Sequence, residues 1–174
     1  GHPYFSFAFG AAGFLFIPWR FGAGVSVVSR FSPERMFQLI DEHGITILFC
    51  VPTAFRMMLG IGDAEQRYQL STLRLGQSAG EPLPEATFRE WRQRFGHPII
   101  NSLGSGELNY WLSTDEELPD DKIGSVGLPI PGYESVVVDE NLEPVPPGTP
   151  GELIVRGPLG QLYWRRPDAQ KKGI

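Results

Sequence analysis

The sequence predicts an α/β fold: a parallel sheet with covering helices, followed by a β-hairpin or barrel portion. Three observations carry that expectation. Short apolar or β-branched runs alternate with helical patterns through the first two-thirds of the chain. Those runs are continuous in apolar character, as strands buried on both faces are. From about Trp111 the rhythm changes to period-two alternation punctuated by proline and glycine.

The elements follow in order. Tyr4 to Ile17 is a phenylalanine-rich stretch of about 14 residues and reads as buried core. It falls short of the ~20 apolar residues that span a bilayer, so no membrane span is expected. Val25-Ser26-Val27-Val28 predicts a short strand. Ser32 then caps a helix with Pro33 at its first position. Met36, Phe37, Leu39 and Ile40 form the apolar face of that helix, and Gly44 ends it. Ile45 to Val51 is a buried-strand run, and Pro52-Thr53 opens the next helix. Leu73 to Gly76 predicts a strand. Pro84 opens a helix with Phe88, Trp91 and Phe95 on one face, and Ile99-Ile100 is the next strand. Glu134 to Asp139 and Gly151 to Arg156 alternate as hairpin strands around a turn rich in proline. The expected division is residues 1–110 as an α/β subdomain and 111–174 as a β-rich portion.

The net charge of -5 gives no basic footprint, which excludes nucleic acid as a partner. The single cysteine, Cys50, fits a reducing compartment and so a cytoplasmic location. In α/β sheets, ligands sit beyond the carboxyl ends of strands. Two such ends stand out: Gly76 to Pro82, and Asn101 to Glu107. Both are rich in glycine and small polar residues, and both carry a glutamate. Glycine lets backbone approach a flat ring or a phosphate closely, and a carboxylate suits a hydrated magnesium ion. Read locally, ordinary βα turns have the same composition.

The order of three segments goes beyond local composition. Ser78-Ala79-Gly80-Glu81-Pro82-Leu83, Asn101 to Glu107, and Gly151-Glu152-Leu153-Ile154-Val155-Arg156-Gly157 together resemble the adenylate-forming superfamily of AMP-binding acyl-CoA synthetases. Val51 to Leu59, Gly127 to Glu134 and Arg156-Gly157-Pro158-Leu159-Gly160 are closest in flavour to the benzoate and 2-aminobenzoate CoA ligases. The resemblance implies a carboxylic acid, aromatic by the subfamily likeness, that is activated by ATP and Mg2+ to an acyl-adenylate and then passed to coenzyme A. It implies that Gly80, Glu81 and Pro82 line the adenine. Asn101 would meet the exocyclic amine, and Ser102, Leu103 and Gly104 would pack on the ring. Glu107 would hold the metal. Phe9 and Gly10 against Ala54, with Gly76 beside them, would form the acid slot.

The sequence departs from the family at Gly106, where a threonine hydroxyl usually helps hold phosphate and metal. Leu103 stands where a tyrosine is common. The lysines, Lys122, Lys171 and Lys172, occupy no motif position, so the chain reads as the central part of a longer enzyme and is expected to be inactive alone. A non-catalytic nucleotide-binding member of the fold, or a module that loads a carrier protein, are the alternatives. Severed sheet edges also suggest self-association.

Other side chains carry plainer expectations. His43 and His97 sit near helix ends and are expected to satisfy terminal carbonyls. His2 could border the acid. Asp115, Glu116, Glu117, Asp120 and Asp121 read as a solvated turn, and Arg156 as a surface partner for a carboxylate.

Overall fold

The computed structural model of the chain describes residues 5–158 and 162–171. The expectations for His2, Tyr4, Leu159, Gly160 and Lys172 therefore lie outside the described residues. Five strands form the main sheet in sequential order. They are β1 (Ile47–Phe49), β2 (Leu75–Ala79), β3 (Ile99–Ser105), β4 (Asn109–Ser113) and β5 (Leu128–Pro129). The first three run parallel, β4 pairs antiparallel with β3, and β5 pairs antiparallel with β4. The sheet thus continues past residue 110 through β4 and β5. A second, two-stranded antiparallel sheet pairs β6 (Glu134–Val138) with β7 (Glu152–Arg156).

The connections between the parallel strands are helical, as that geometry requires. The helices are α1 (Ala8–Ala11), α2 (Ile17–Phe21), α3 (Pro33–His43), α4 (Pro52–Leu59), α5 (Ala64–Arg67), α6 (Glu85–Phe95) and α7 (Pro167–Gln170). A π-helical segment, Ala12–Phe16, joins α1 to α2. Helix α3 begins as the sequence dictates, with the Ser32 hydroxyl accepting from the Arg35 N–H at 3.2 Å. It ends on Gly44, whose φ of 58° is the left-handed conformation that stops a helix.

Leu48 of β1 faces the helix layer and joins a core with Phe37, Ile40, Phe55, Met58, Trp91 and Ile99. The rings of Phe55 and Trp91 meet edge to face at 4.8 Å. Phe49, the next residue, points to the opposite face, because successive strand side chains alternate. There it meets Phe9 at 5.8 Å and Phe14 at 5.8 Å, so the α1–α2 stretch covers that side. A Cβ on Gly13 would lie only 2.5 Å from the Phe49 ring, which is why this helical stretch can sit so close.

Three expectations need correction. Val25 to Val28 forms no strand. Val25 and Val27 are exposed, and among the described residues no strand pairs with this stretch. The Tyr4 to Ile17 stretch is only half core. Phe9 and Phe14 are buried, but Phe7 and Phe16 are 65% and 63% exposed because the outer side of this helical stretch has no covering layer among the described residues. His97 does not cap carbonyls. It is buried, and its Nδ1 accepts from the Trp91 indole N–H at 3.3 Å.

That contact makes His97 sensitive to acid. Burial holds its pKa below the ordinary value near 6.5, with the Pro98 backbone offsetting part of the effect. The folded chain keeps the imidazole neutral while the unfolded chain takes up a proton first. The stabilising contribution is therefore complete above about pH 6.5 and declines as the pH falls below it. Urea midpoints at pH 7.5 and 5.0 should differ more in the wild type than in His97→Asn, whose amide oxygen can replace the acceptor. An equal pH dependence in both would exclude His97 as the responsive group.

Candidate functional site

Strands β2 and β3 lie side by side in parallel, with Ser78 opposite Asn101 and Ala79 opposite Ser102. The two predicted segments, separate in the sequence, are thereby neighbours at the carboxyl ends of adjacent strands. Gly80 follows β2 with φ of 88°, a conformation that favours glycine and turns the chain sharply away from the sheet. Glu81 and Pro82 continue that turn on the surface.

The Glu81 carboxylate has a specific role that the sequence did not indicate. Its Oε2 accepts from the Thr53 hydroxyl at 2.7 Å and from the Thr53 N–H at 3.2 Å. Thr53 stands in the first turn of α4, where free N–H groups and the helix dipole favour an anion. Glu81 thus ties the β2 turn to the start of α4, and it leaves the backbone of Gly80 and Glu81 as the surface an adenine could meet.

The second segment is mostly strand: β3 runs to Ser105, so the side chains of Asn101 to Ser105 alternate between faces, and Gly106 and Glu107 enter the turn that follows. Asn101 is buried, and its Nδ2 donates to the Ser125 carbonyl at 2.8 Å. Its Oδ1 is buried without a hydrogen-bond partner, and so is the neighbouring Ser78 hydroxyl. Ser102 faces the other side, where Gln77 donates to its hydroxyl at 2.8 Å and the Ser113 hydroxyl lies at 3.0 Å. Leu103 is half-buried. Gly104 is exposed, and a Cβ there would collide with the Asn109 carbonyl across the β3–β4 turn.

Glu107 lies in that turn, half-buried. The Ser105 side chain and the Tyr163 hydroxyl hold its carboxyl below the usual carboxylate range. The Tyr163 hydroxyl donates to Glu107 Oε1 at 2.7 Å. An ionised carboxylate of this kind fits a hydrated magnesium ion that takes most of its ligands from water and phosphate. The described residues contain no cluster of three or more His, Cys, Asp or Glu able to enclose a metal by themselves. At Gly106 a Cβ would meet nothing within 4 Å, so a larger residue fits without clash.

The residues expected to line the acid slot divide between faces. Phe9 packs edge to face on Tyr110 at 6.0 Å, and the Tyr110 hydroxyl donates to the Phe9 carbonyl at 3.3 Å. Gly10 is buried beside it. Ala54 belongs to the helix-layer core, and a Cβ on Gly76 would lie 2.8 Å from the Phe55 ring in that same layer. Gly76 therefore serves helix packing. Sequence reasoning missed Tyr110, Tyr163 and the Gln77–Ser102–Ser113 chain, since none of them forms a local pattern.

The remaining polar groups are structural. Cys50 is fully buried, which pushes its thiol up to about 12. Arg156 pairs with Glu134 at 2.6 Å on the surface. Asp120 faces Arg89 and Arg92, each at 3.6 Å, and Glu116 faces Arg74 at 3.5 Å.

A parallel sheet with two small-residue segments at neighbouring strand ends is the architecture of α/β domains that handle nucleotides. The chain belongs to the AMP-binding enzyme family, whose model matches residues 3–164. It is 35% identical over 165 residues to a 4-hydroxybenzoate–CoA/benzoate–CoA ligase of Rhodopseudomonas palustris, covering 93% of this chain and 30% of that protein. It is 37% identical to an acetyl-coenzyme A synthetase of Bacillus subtilis, covering 88% of this chain and 28% of that one. The structure resembles a benzoate CoA ligase from Burkholderia xenovorans with a TM-score of 0.88 at 30% identity, covering 97% of this chain and 34% of that one. The chain spans about 30% of the length of the curated relatives it matches.

The Thr53–Glu81 contact yields a direct prediction. Thr53→Val should lower unfolding stability by about 1 kcal/mol, the scale of a lost helix-end cap. Combined with Glu81→Ala it should cost little more than either change alone, because both remove one interaction. Urea unfolding of the four proteins measures this, and strictly additive effects would disprove the link.

Proposed function

We propose that this chain is the central section of an ATP-dependent, AMP-forming carboxylic acid–CoA ligase, with an aromatic acid as substrate. The observation that carries the reading is the register of β2 and β3, with Ser78 opposite Asn101 and Ala79 opposite Ser102, so that the Gly80 turn leaves β2 next to the β3 segment. The unpartnered Asn101 Oδ1 supports it, because an adenine exocyclic amine is a donor that would satisfy a buried acceptor. The benzoate ligases among its relatives support an aromatic acid.

In this reading the backbone of Gly80, Glu81 and Pro82 borders the adenine along one edge. Asn101 meets the amine, and Ser102, Leu103 and Gly104 supply backbone and a half-buried side chain beneath the ring. The acid lies against Phe9, Gly10 and Tyr110, with the Ala54 and Gly76 elements setting the depth of the slot. One carboxylate oxygen of the acid attacks the α-phosphorus of ATP, and the bond to pyrophosphate breaks. The sulfur of coenzyme A then attacks the acyl carbon, and AMP departs. Neither step needs a strong protein base, so orientation and neutralisation of phosphate charge dominate. Mg2+ would supply that neutralisation, and Glu107 is the side chain placed to hold it. A lone buried thiol suits a cytoplasmic setting.

Gly106 favours a second reading, a nucleotide-binding member of the fold without ligase activity. The open space around its Cβ gives a means of separating the two. The full-length protein should exchange pyrophosphate into ATP only when a benzoate-type acid is present. Gly106→Thr should raise that rate several-fold. ATP binding without acid-dependent exchange, in both the wild type and Gly106→Thr, would establish the second reading.

The isolated chain should also self-associate. Strand β1 ends the sheet, and beside it runs a cleft of about 780 Å³ lined by Phe14, Ile17, Phe21, Val25 and Leu39. An unpaired strand edge beside an apolar cleft invites pairing with a second copy. Light scattering at rising concentration should show a growing mean mass, and a constant monomer mass would refute this.

A further inference from the structure

Two tyrosine hydroxyls from distant parts of the chain hold the turn between β3 and β4. Tyr133, just before β6, donates to the Leu108 carbonyl at 2.6 Å. Tyr163 donates to the Glu107 carboxylate at 2.7 Å. The two differ in what they fix: one holds backbone, and the other orients the side chain of the acidic group itself. Tyr163 is in turn anchored. Its N–H donates to Gln170 Oε1 in α7 at 2.7 Å, and its carbonyl accepts from the Arg166 N–H at 3.2 Å.

The turn needs such support. Gly106 has no side chain, and nothing would contact a Cβ there within 4 Å, so packing at this position does not restrain Glu107. The Ser105 hydroxyl accepts from the Glu107 N–H at 3.2 Å and its side chain also favours the carboxylate, so Tyr163 is the partner that reaches Glu107 from outside the turn. A carboxylate on an unrestrained turn loses rotamer freedom when it binds a cation, and a hydrogen bond already made removes part of that cost.

We infer that Tyr163 is a positioning residue for Glu107, orienting its carboxylate for a metal–nucleotide complex from a segment 56 positions further along the chain. The inference rests on the reading that Glu107 meets the metal of the nucleotide. In this role Tyr163 acts through Glu107 and is not itself a ligand. A segment outside the main sheet thus sets the metal affinity of the nucleotide face.

The test measures binding rather than turnover. Manganese serves as a paramagnetic substitute for magnesium, and water-proton relaxation reads its binding with ATP to the full-length protein. Isothermal titration reads the binding of ATP in the absence of metal. Tyr163→Phe should weaken manganese–ATP binding about tenfold, the scale seen when the outer partner of a metal-binding side chain is lost. It should leave metal-free ATP binding unchanged. If Tyr163→Phe binds manganese–ATP as tightly as the wild type, the inference is wrong. If it loses metal-free ATP binding to the same degree, Tyr163 acts through the fold and the inference is equally wrong. Glu107→Gln separates the two levels. Unchanged manganese–ATP binding in that variant overturns the reading of Glu107 itself, whereas weakened binding there with none in Tyr163→Phe overturns only the positioning role.

Discussion

Strands β2 and β3 run parallel with Ser78 beside Asn101, and the helix layer beneath them keeps that pairing in place. Gly76 makes the contact possible. Its missing side chain lets the Phe55 ring pack directly on the middle of β2, while Trp91 closes on Phe55 from α6. Ile99, which pairs with Gly76, completes the same core. A bulkier residue at position 76 would press on the Phe55 ring and disturb the strand ends above it. The strand ends that carry the candidate site therefore depend on a packing contact made earlier along the same strands.

The same strand geometry explains why the motif residues act differently from one another. Alternation along β3 sends Asn101 and Ser102 to opposite faces. Asn101 keeps one amide hydrogen bond and leaves its oxygen without a partner, whereas Ser102 joins Gln77 and Ser113 in a polar chain on the far face. Glu81 provides a second contrast. It stands in a turn expected to border a nucleotide, yet its carboxylate caps α4 through Thr53. The turn thereby gains a fixed position relative to the helix that carries Ala54.

Charge is distributed with equal selectivity. Most ion pairs, such as Arg156 with Glu134, lie on the surface, where solvent weakens them. Glu107 is different because hydroxyl donors favour its anionic form. Negative charge is thus maintained at a turn beside the strand ends, where a cation accompanying phosphate would need it.

Much of this was legible in the sequence. Ser32, Pro33 and Gly44 carry their own conformational instructions and mark α3 at both ends. The apolar faces of α3 and α6 follow from helical periodicity, and the ordered glycine-rich segments identified the family. These are local properties, each readable within a few residues. Val25 to Val28 shows the limit: β-branched composition favours extended backbone, but a strand also requires a neighbour, and only the tertiary structure decides whether one is present. The same holds for Gly76, whose partner Phe55 lies across the fold, and for Tyr163, whose partner Glu107 lies in another element. Local chemistry determined the elements and marked the candidate nucleotide-binding segments. The packing of distant residues decided which face each side chain serves, because hydrogen bonds and ring contacts are settled by proximity in space.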